Sequence, residues 1–132
     1  MTFPAEPESV RAARRAIAHL LDDELVAPER REAATLVVSE AVSNAVLHAY
    51  DGPGGVVELF AIRAGAELIL VVSDRGRGLE HPPARPGLGV GLRLIRGSAD
   101  QALIASAADG GTTVQCRFEL SGRPRQAETG AA

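Results

Sequence analysis

The chain has no tryptophan and only one cysteine, one methionine and one tyrosine among its 132 residues. A lone Cys116 excludes a disulfide framework and fits a reducing compartment. Aromatic residues make up 3%, so a core has to be built from Val, Leu, Ile and Ala. Three scattered histidines (His19, His48, His81) and no second cysteine give no zinc-ligand spacing. No apolar run approaches membrane-spanning length, and the N-terminus lacks the charged-then-apolar pattern of a leader. The expected location is therefore cytoplasmic, with no membrane partner. A basic surplus is missing too. Fourteen basic residues face seventeen acidic ones, a net charge of −3, and no stretch offers a phosphate-backbone footprint. Direct nucleic-acid binding is not expected.

What is present suits one folded domain: 45% hydrophobic and 23% charged residues. Pro7 suits a first helical turn, and Val10, Ala13, Ile17 and Leu20 follow helical spacing, which predicts a helix over 7–21. Arg11, Arg14 and Arg15, interleaved with alanines, read as its solvated face or as part of a protein interface. A polar connector over 22–27 leads to Pro28 and Glu29, which open a longer helix reaching His48 or Ala49. The glycine- and proline-rich run over 51–55 breaks it. Strands are expected over 56–63 and 67–73, joined as a hairpin through Gly65, then a loop over 74–89 and a helix over 90–99. Two more strands, over 103–107 and 112–120, are separated by the turn at 109–111. The order α-α-β-β-α-β-β predicts an α+β fold, a two-layer sandwich with helices on one face of a mixed, mostly antiparallel sheet. Residues 1–120 form the expected domain, and the polar, small-residue stretch 121–132 is expected to be a disordered tail.

Glu40 and Asn44 interrupt an otherwise apolar helical stretch and, four residues apart, share one face. Ala34, Val38, Ala41 and Ala45 form an apolar stripe beside them, which puts the pair at the edge of the core. A carboxylate and an amide there suit a proton acceptor and a metal ligand, although a capped or solvated helix face has the same spacing. Asp74 ends an apolar strand and begins Asp74-Arg75-Gly76-Arg77-Gly78. A carboxylate so placed can accept a hydrogen bond from an exocyclic amine such as that of adenine, and glycines let a flat ring approach the backbone. A tight turn capped by Asp is the plainer reading of those five residues. Gly87-Leu88-Gly89-Val90-Gly91 precedes or opens the third helix, where free N–H groups and the helix dipole favour phosphate. It is neither a Walker A loop nor a good dinucleotide fingerprint. Cys116 alternates with Val114 and Phe118 and reads as core, and His48 reads as packing or capping at a helix end.

Taken in order, these motifs form one set, completed by Gly111-Thr112-Thr113 at the start of the last strand. The set resembles the GHKL ATPase superfamily of gyrase, Hsp90, histidine kinases and mismatch-repair ATPases. Ser39-Glu40-Ala41-Val42-Ser43-Asn44-Ala45 with His48-Ala49-Tyr50 is most similar to the anti-sigma-factor serine kinases. The resemblance spans about residues 7–120. It implies ATP and Mg²⁺ as ligands, with Asn44 holding the metal and Glu40 polarising the hydroxyl that attacks. It implies Asp74 on the adenine, with Gly76 and Gly78 beside the base and Thr112 supporting it. Gly87, Gly89 and Gly91 correspond to the phosphate-covering loop, and Arg85 to an arginine that reaches the terminal phosphate. The implied activity is that of a serine/threonine protein kinase that holds a sigma factor inactive and phosphorylates an anti-sigma-factor antagonist, working as a homodimer. Two other readings share the motifs: a nucleotide-binding module that sequesters its partner without transferring phosphate, and the catalytic domain of a histidine-kinase-like ATPase. One departure stands out. Eight residues, three of them prolines, separate the two glycine motifs, where the kinases carry a longer and more acidic segment.

Overall fold

The computed structural model describes residues 1–50, 52–79, 88–107 and 110–122. Its elements are β1 (Thr2–Pro4), α1 (Pro7–Leu20), α2 (Pro28–Asn44), a π-helical turn (Ala45–Ala49), β2 (Val56–Ala64), β3 (Glu67–Asp74), α3 (Leu88–Ser98), β4 (Gln101–Ser106) and β5 (Thr112–Glu119). The strands form one sheet in the order β1-β2-β3-β5-β4. Every pairing described in it is antiparallel, so no strand makes it mixed as expected. The α+β sandwich itself stands.

Prolines open both long helices at a position where the missing N–H loses no helical bond. The end of α1 is held from outside. Arg31 donates two N–H bonds to Ala18 O, at 3.2 and 3.0 Å, and Arg63 donates to Leu20 O at 2.8 Å. Cations on the terminal carbonyls also complement the negative end of the dipole. Because α2 packs against α1, α3 and the sheet, it buries more than one stripe: Ala34, Val37, Val38, Ala41 and Val42. Alternation along the strands then supplies the facing layer, with Leu68 opposite Phe118, Leu70 opposite Cys116 and Val72 opposite Val114, all buried. The other face of the sheet leaves Phe60, Ile62 and Leu103 exposed.

Three departures from the sequence reading have local causes. The strand β1 was not anticipated; three residues with one apolar side chain, Phe3, carry no periodicity, and Pro4 is tolerated because the strand is an edge. Its pairing with β2 is reinforced by the terminal amine of Met1, which donates to Leu59 O at 2.8 Å. The second helix ends as a π turn, whose wider ring sequence periodicity does not signal. The third helix begins at Leu88, two residues early, so Gly89 joins Gly91 within its first turn. The expected tail lies outside the described residues beyond Gly122, as does most of the loop between β3 and α3. Among the described residues, no helix is long and apolar enough to cross a membrane.

Candidate nucleotide site

A cleft opens between the C-terminal half of α2, its π turn, the end of β3 and the start of β5. Asn44, His48, Asp74, Gly78, Leu92 and Thr112 are among the residues lining it. Four residues singled out from sequence, Asn44 of α2, Asp74 at the end of β3, Gly78 in the loop after it and Thr112 of β5, are thus brought together. The cleft holds about 30 Å³ in this structure, room for a water but not for a purine.

Asp74 is fixed by backbone donors. Its Oδ1 accepts N–H bonds from Gly76 at 2.9 Å and Thr112 at 3.3 Å, joining the loop after β3 to the start of β5. Burial pushes its carboxyl above the ordinary aspartate value, and those two N–H groups pull the other way without cancelling it. Two glycines make the packing around it. A side chain on Gly76 would collide with the carbonyl of Ala49, and one on Gly111 with the backbone carbonyl of Asp74 itself. Gly78 takes a φ of +74°, a left-handed conformation that glycine adopts without steric cost. The Ala49 carbonyl, which the π turn brings to the loop, accepts the Arg77 N–H at 2.8 Å. Tyr50 completes the brace: its hydroxyl donates to Val56 O at 2.7 Å and accepts the Arg75 N–H at 3.0 Å.

Asn44 and Glu40 stand one turn apart on α2, both partly buried. Gly91 of α3 lies against them: a methyl group there would sit 3.0 Å from Asn44 Oδ1 and 3.0 Å from Glu40 Oε2. The Asn44 Nδ2 atom is buried and has no hydrogen-bond partner among the described residues. Such a group is costly unless something else engages the amide. Asn44 therefore fits a ligand-holding role. Glu40 is not among the residues lining the cleft; it flanks it on the α3 side. Gly89 is exposed, with open space where a side chain would go. Arg85 and Gly87 lie outside the described residues. No group of three or more histidine, cysteine or acidic side chains poised for a metal occurs among the described residues.

His48, read from sequence as packing or capping, is 6% exposed and lines the cleft. Its position four residues after Asn44 was the available signal. Tyr50 and Gly111 were quoted as parts of motifs, yet their bracing of the Asp74 loop depends on contacts that spacing does not reveal.

Residues 3–118 match the histidine kinase-like ATPase domain family, and the chain belongs to that family. It is 30% identical over 125 residues to an anti-sigma F factor of Clostridium acetobutylicum, covering 86% of this chain and 87% of that one. A second anti-sigma F factor, from Anoxybacillus flavithermus, is 34% identical over 91 residues, 60% of this chain and 62% of that one. Among solved structures, the RsbU and RsbW domains of Rv1364c from Mycobacterium tuberculosis superpose with a TM-score of 0.69 at 26% identity. That match covers 94% of this chain but 33% of the other, so the chain spans a third of its length. The resemblance to GHKL ATPases, and within them to anti-sigma factors, is borne out.

Proposed function

We propose that this protein is a Mg-ATP-dependent anti-sigma-factor serine/threonine kinase, which sequesters a sigma factor and phosphorylates an antagonist of that sequestration. The observation that supports it most is the convergence of Asn44, Asp74, Gly78 and Thr112 on one cleft, with Asn44 Nδ2 buried and unpartnered among the described residues. The named relatives, both anti-sigma F factors, supply the partner class.

In this reading Asp74 accepts the adenine amine, with Thr112 beside it and Gly76 and Gly78 giving the base access to the backbone. Purine entry requires the cleft to widen beyond its present volume. Gly89 and Gly91, together with Gly87 and Arg85, are assigned to the phosphate end, where the N-terminus of α3 offers N–H groups to anionic oxygens. Asn44 would hold Mg²⁺, which supplies charge neutralisation on the phosphates when bound. Glu40 takes the proton of a serine or threonine hydroxyl on the antagonist as that oxygen bonds to the γ-phosphorus and ADP leaves. Residues 1–120 act as one domain, in a homodimer in the cytoplasm.

A second reading has its own support. Glu40 stands beside the cleft rather than in its lining, which suits a module that binds nucleotide and sequesters its partner without transfer. Incubation with γ-labelled ATP and candidate antagonist proteins separates the two. Label on a serine or threonine of the antagonist establishes the kinase. Sigma-factor binding with no label on any antagonist establishes the module.

A further inference from the structure

Three arginines of α1 play no part in the cleft. Arg11, Arg14 and Arg15 are exposed, and no hydrogen bond or ion pair engages their side chains among the described residues. By contrast Arg30, Arg31, Arg63, Arg75 and Arg117 each meet a carboxylate. The three line a groove of about 850 Å³ between α1 and the beginning of α2. It is far larger than the cleft at Asp74, and the two share no lining residue.

The apolar part of the groove is Val10, Ala18, Leu21 and Val26, the last two buried. Its charge is one-sided. Asp23 is taken by Arg63 at 2.5 Å, and Asp22 lies 3.8 Å from Arg31. Among the described residues that leaves Glu32 as the lining carboxylate without a cation, against three arginines without an anion. Arg31 is spoken for, because it holds the end of α1 through Ala18 O. An apolar floor with free guanidinium groups along one wall complements a helix that carries leucine-like anchors on one face and carboxylates beside them. A polynucleotide is the poorer match, since the groove offers no aromatic ring for base stacking and the chain is net negative.

We propose that this groove docks an acidic amphipathic helix of a partner protein, its carboxylates on Arg11, Arg14 and Arg15. This deepens the sequestration part of the proposed function by giving the partner a surface, and it is independent of phosphate transfer. The test uses the full chain and a synthetic helical peptide of about 18 residues, roughly five turns, with leucines on one face and glutamates flanking them. A leucine/lysine counterpart and an oligothymidine serve as rival probes. Amide shifts are mapped by NMR and affinities are read by anisotropy. The leucine/glutamate peptide should perturb Val10, Ala18 and Thr35 and weaken with added salt. It should lose at least about tenfold in affinity in an R11E/R14E/R15E variant, and less in the triple alanine variant. All three side chains are exposed, so both variants should fold, and ATP titration of the same samples should be unchanged. Equal binding of the lysine peptide, shifts outside the groove, or stronger binding of oligothymidine would overturn the proposal. Loss of ATP binding with peptide docking intact would instead count against the nucleotide reading alone.

Discussion

The backbone of Gly91, in the first turn of α3, lies against the Asn44 side chain of α2, close enough that a methyl group there would stand 3.0 Å from Asn44 Oδ1. Glu40 Oε2 is equally near. A side chain at this point has to displace two polar groups assigned to the site. Gly91→Ala should therefore weaken Mg²⁺-dependent ATP binding by about tenfold. Thermal stability should hold or rise, because alanine gains roughly 1 kcal/mol of helix propensity over glycine. Calorimetry alongside a melting curve checks both. Unchanged affinity would mean that α3 and α2 merely touch there.

Asp74 sets affinity against stability. Burial raises its carboxyl, so the charged form costs folding free energy. The sign follows: the native state retains a proton that the unfolded chain has lost, so stability falls as pH rises from the ordinary aspartate value through the raised one. Asp74→Asn removes that cost while its Oδ1 still accepts from Gly76 and Thr112. It should unfold no more easily than wild type at neutral pH. Its ATP affinity should nevertheless drop by about 1–3 kcal/mol, because the new amide can present a donor to the adenine amine. Equal affinity would reduce Asp74 to a turn residue.

Much of this was legible in the sequence, and the particular residues show why. Asn44, Asp74 and Thr112 sit at fixed places in ordered motifs, and the elements carrying them follow from period and punctuation. The strand β1 could not be read, because an edge of three residues is defined by its partner β2 rather than by its own pattern. The π turn was equally hidden. Its effect, bringing the Ala49 carbonyl to Arg77, is a matter of backbone path that side-chain periodicity does not encode. Glu40 lies against Gly91 of α3, beside the residues that line the cleft, a contact that spacing along α2 does not reveal.

Tyr50 links β2 to the Asp74 loop through one hydroxyl that both donates and accepts. Tyr50→Phe keeps the ring over Gly55 and removes both bonds. The loss should be about 1–2 kcal/mol of stability, measured by urea denaturation, with ATP affinity reduced several-fold. No change in either would mean that water replaces the hydroxyl without consequence.

Cys116 is buried at 1% exposure, and burial pushes its thiol up to about 11. Little thiolate forms at neutral pH, so a thiol reagent should leave the native protein unmodified and label it fully in denaturant. Rapid labelling of the folded state would place Cys116 outside the core described above.

Glu40→Ala and Asn44→Ala divide chemistry from binding. Glu40→Ala should retain nucleotide affinity while phosphate transfer falls roughly 10²–10⁴-fold, the usual worth of a general base. Asn44→Ala should lose Mg²⁺-dependent affinity as well. Wild-type behaviour of both in both assays would remove the pair from the site.

Titration of the wild-type protein with ATP by calorimetry, with and without Mg²⁺, decides whether the cleft at Asn44 and Asp74 is a nucleotide site. Saturable binding is expected at or below millimolar nucleotide, strengthened by the metal and weakened in Asp74→Asn and Asn44→Ala. No heat and no thermal stabilisation at millimolar ATP with Mg²⁺ present would contradict it.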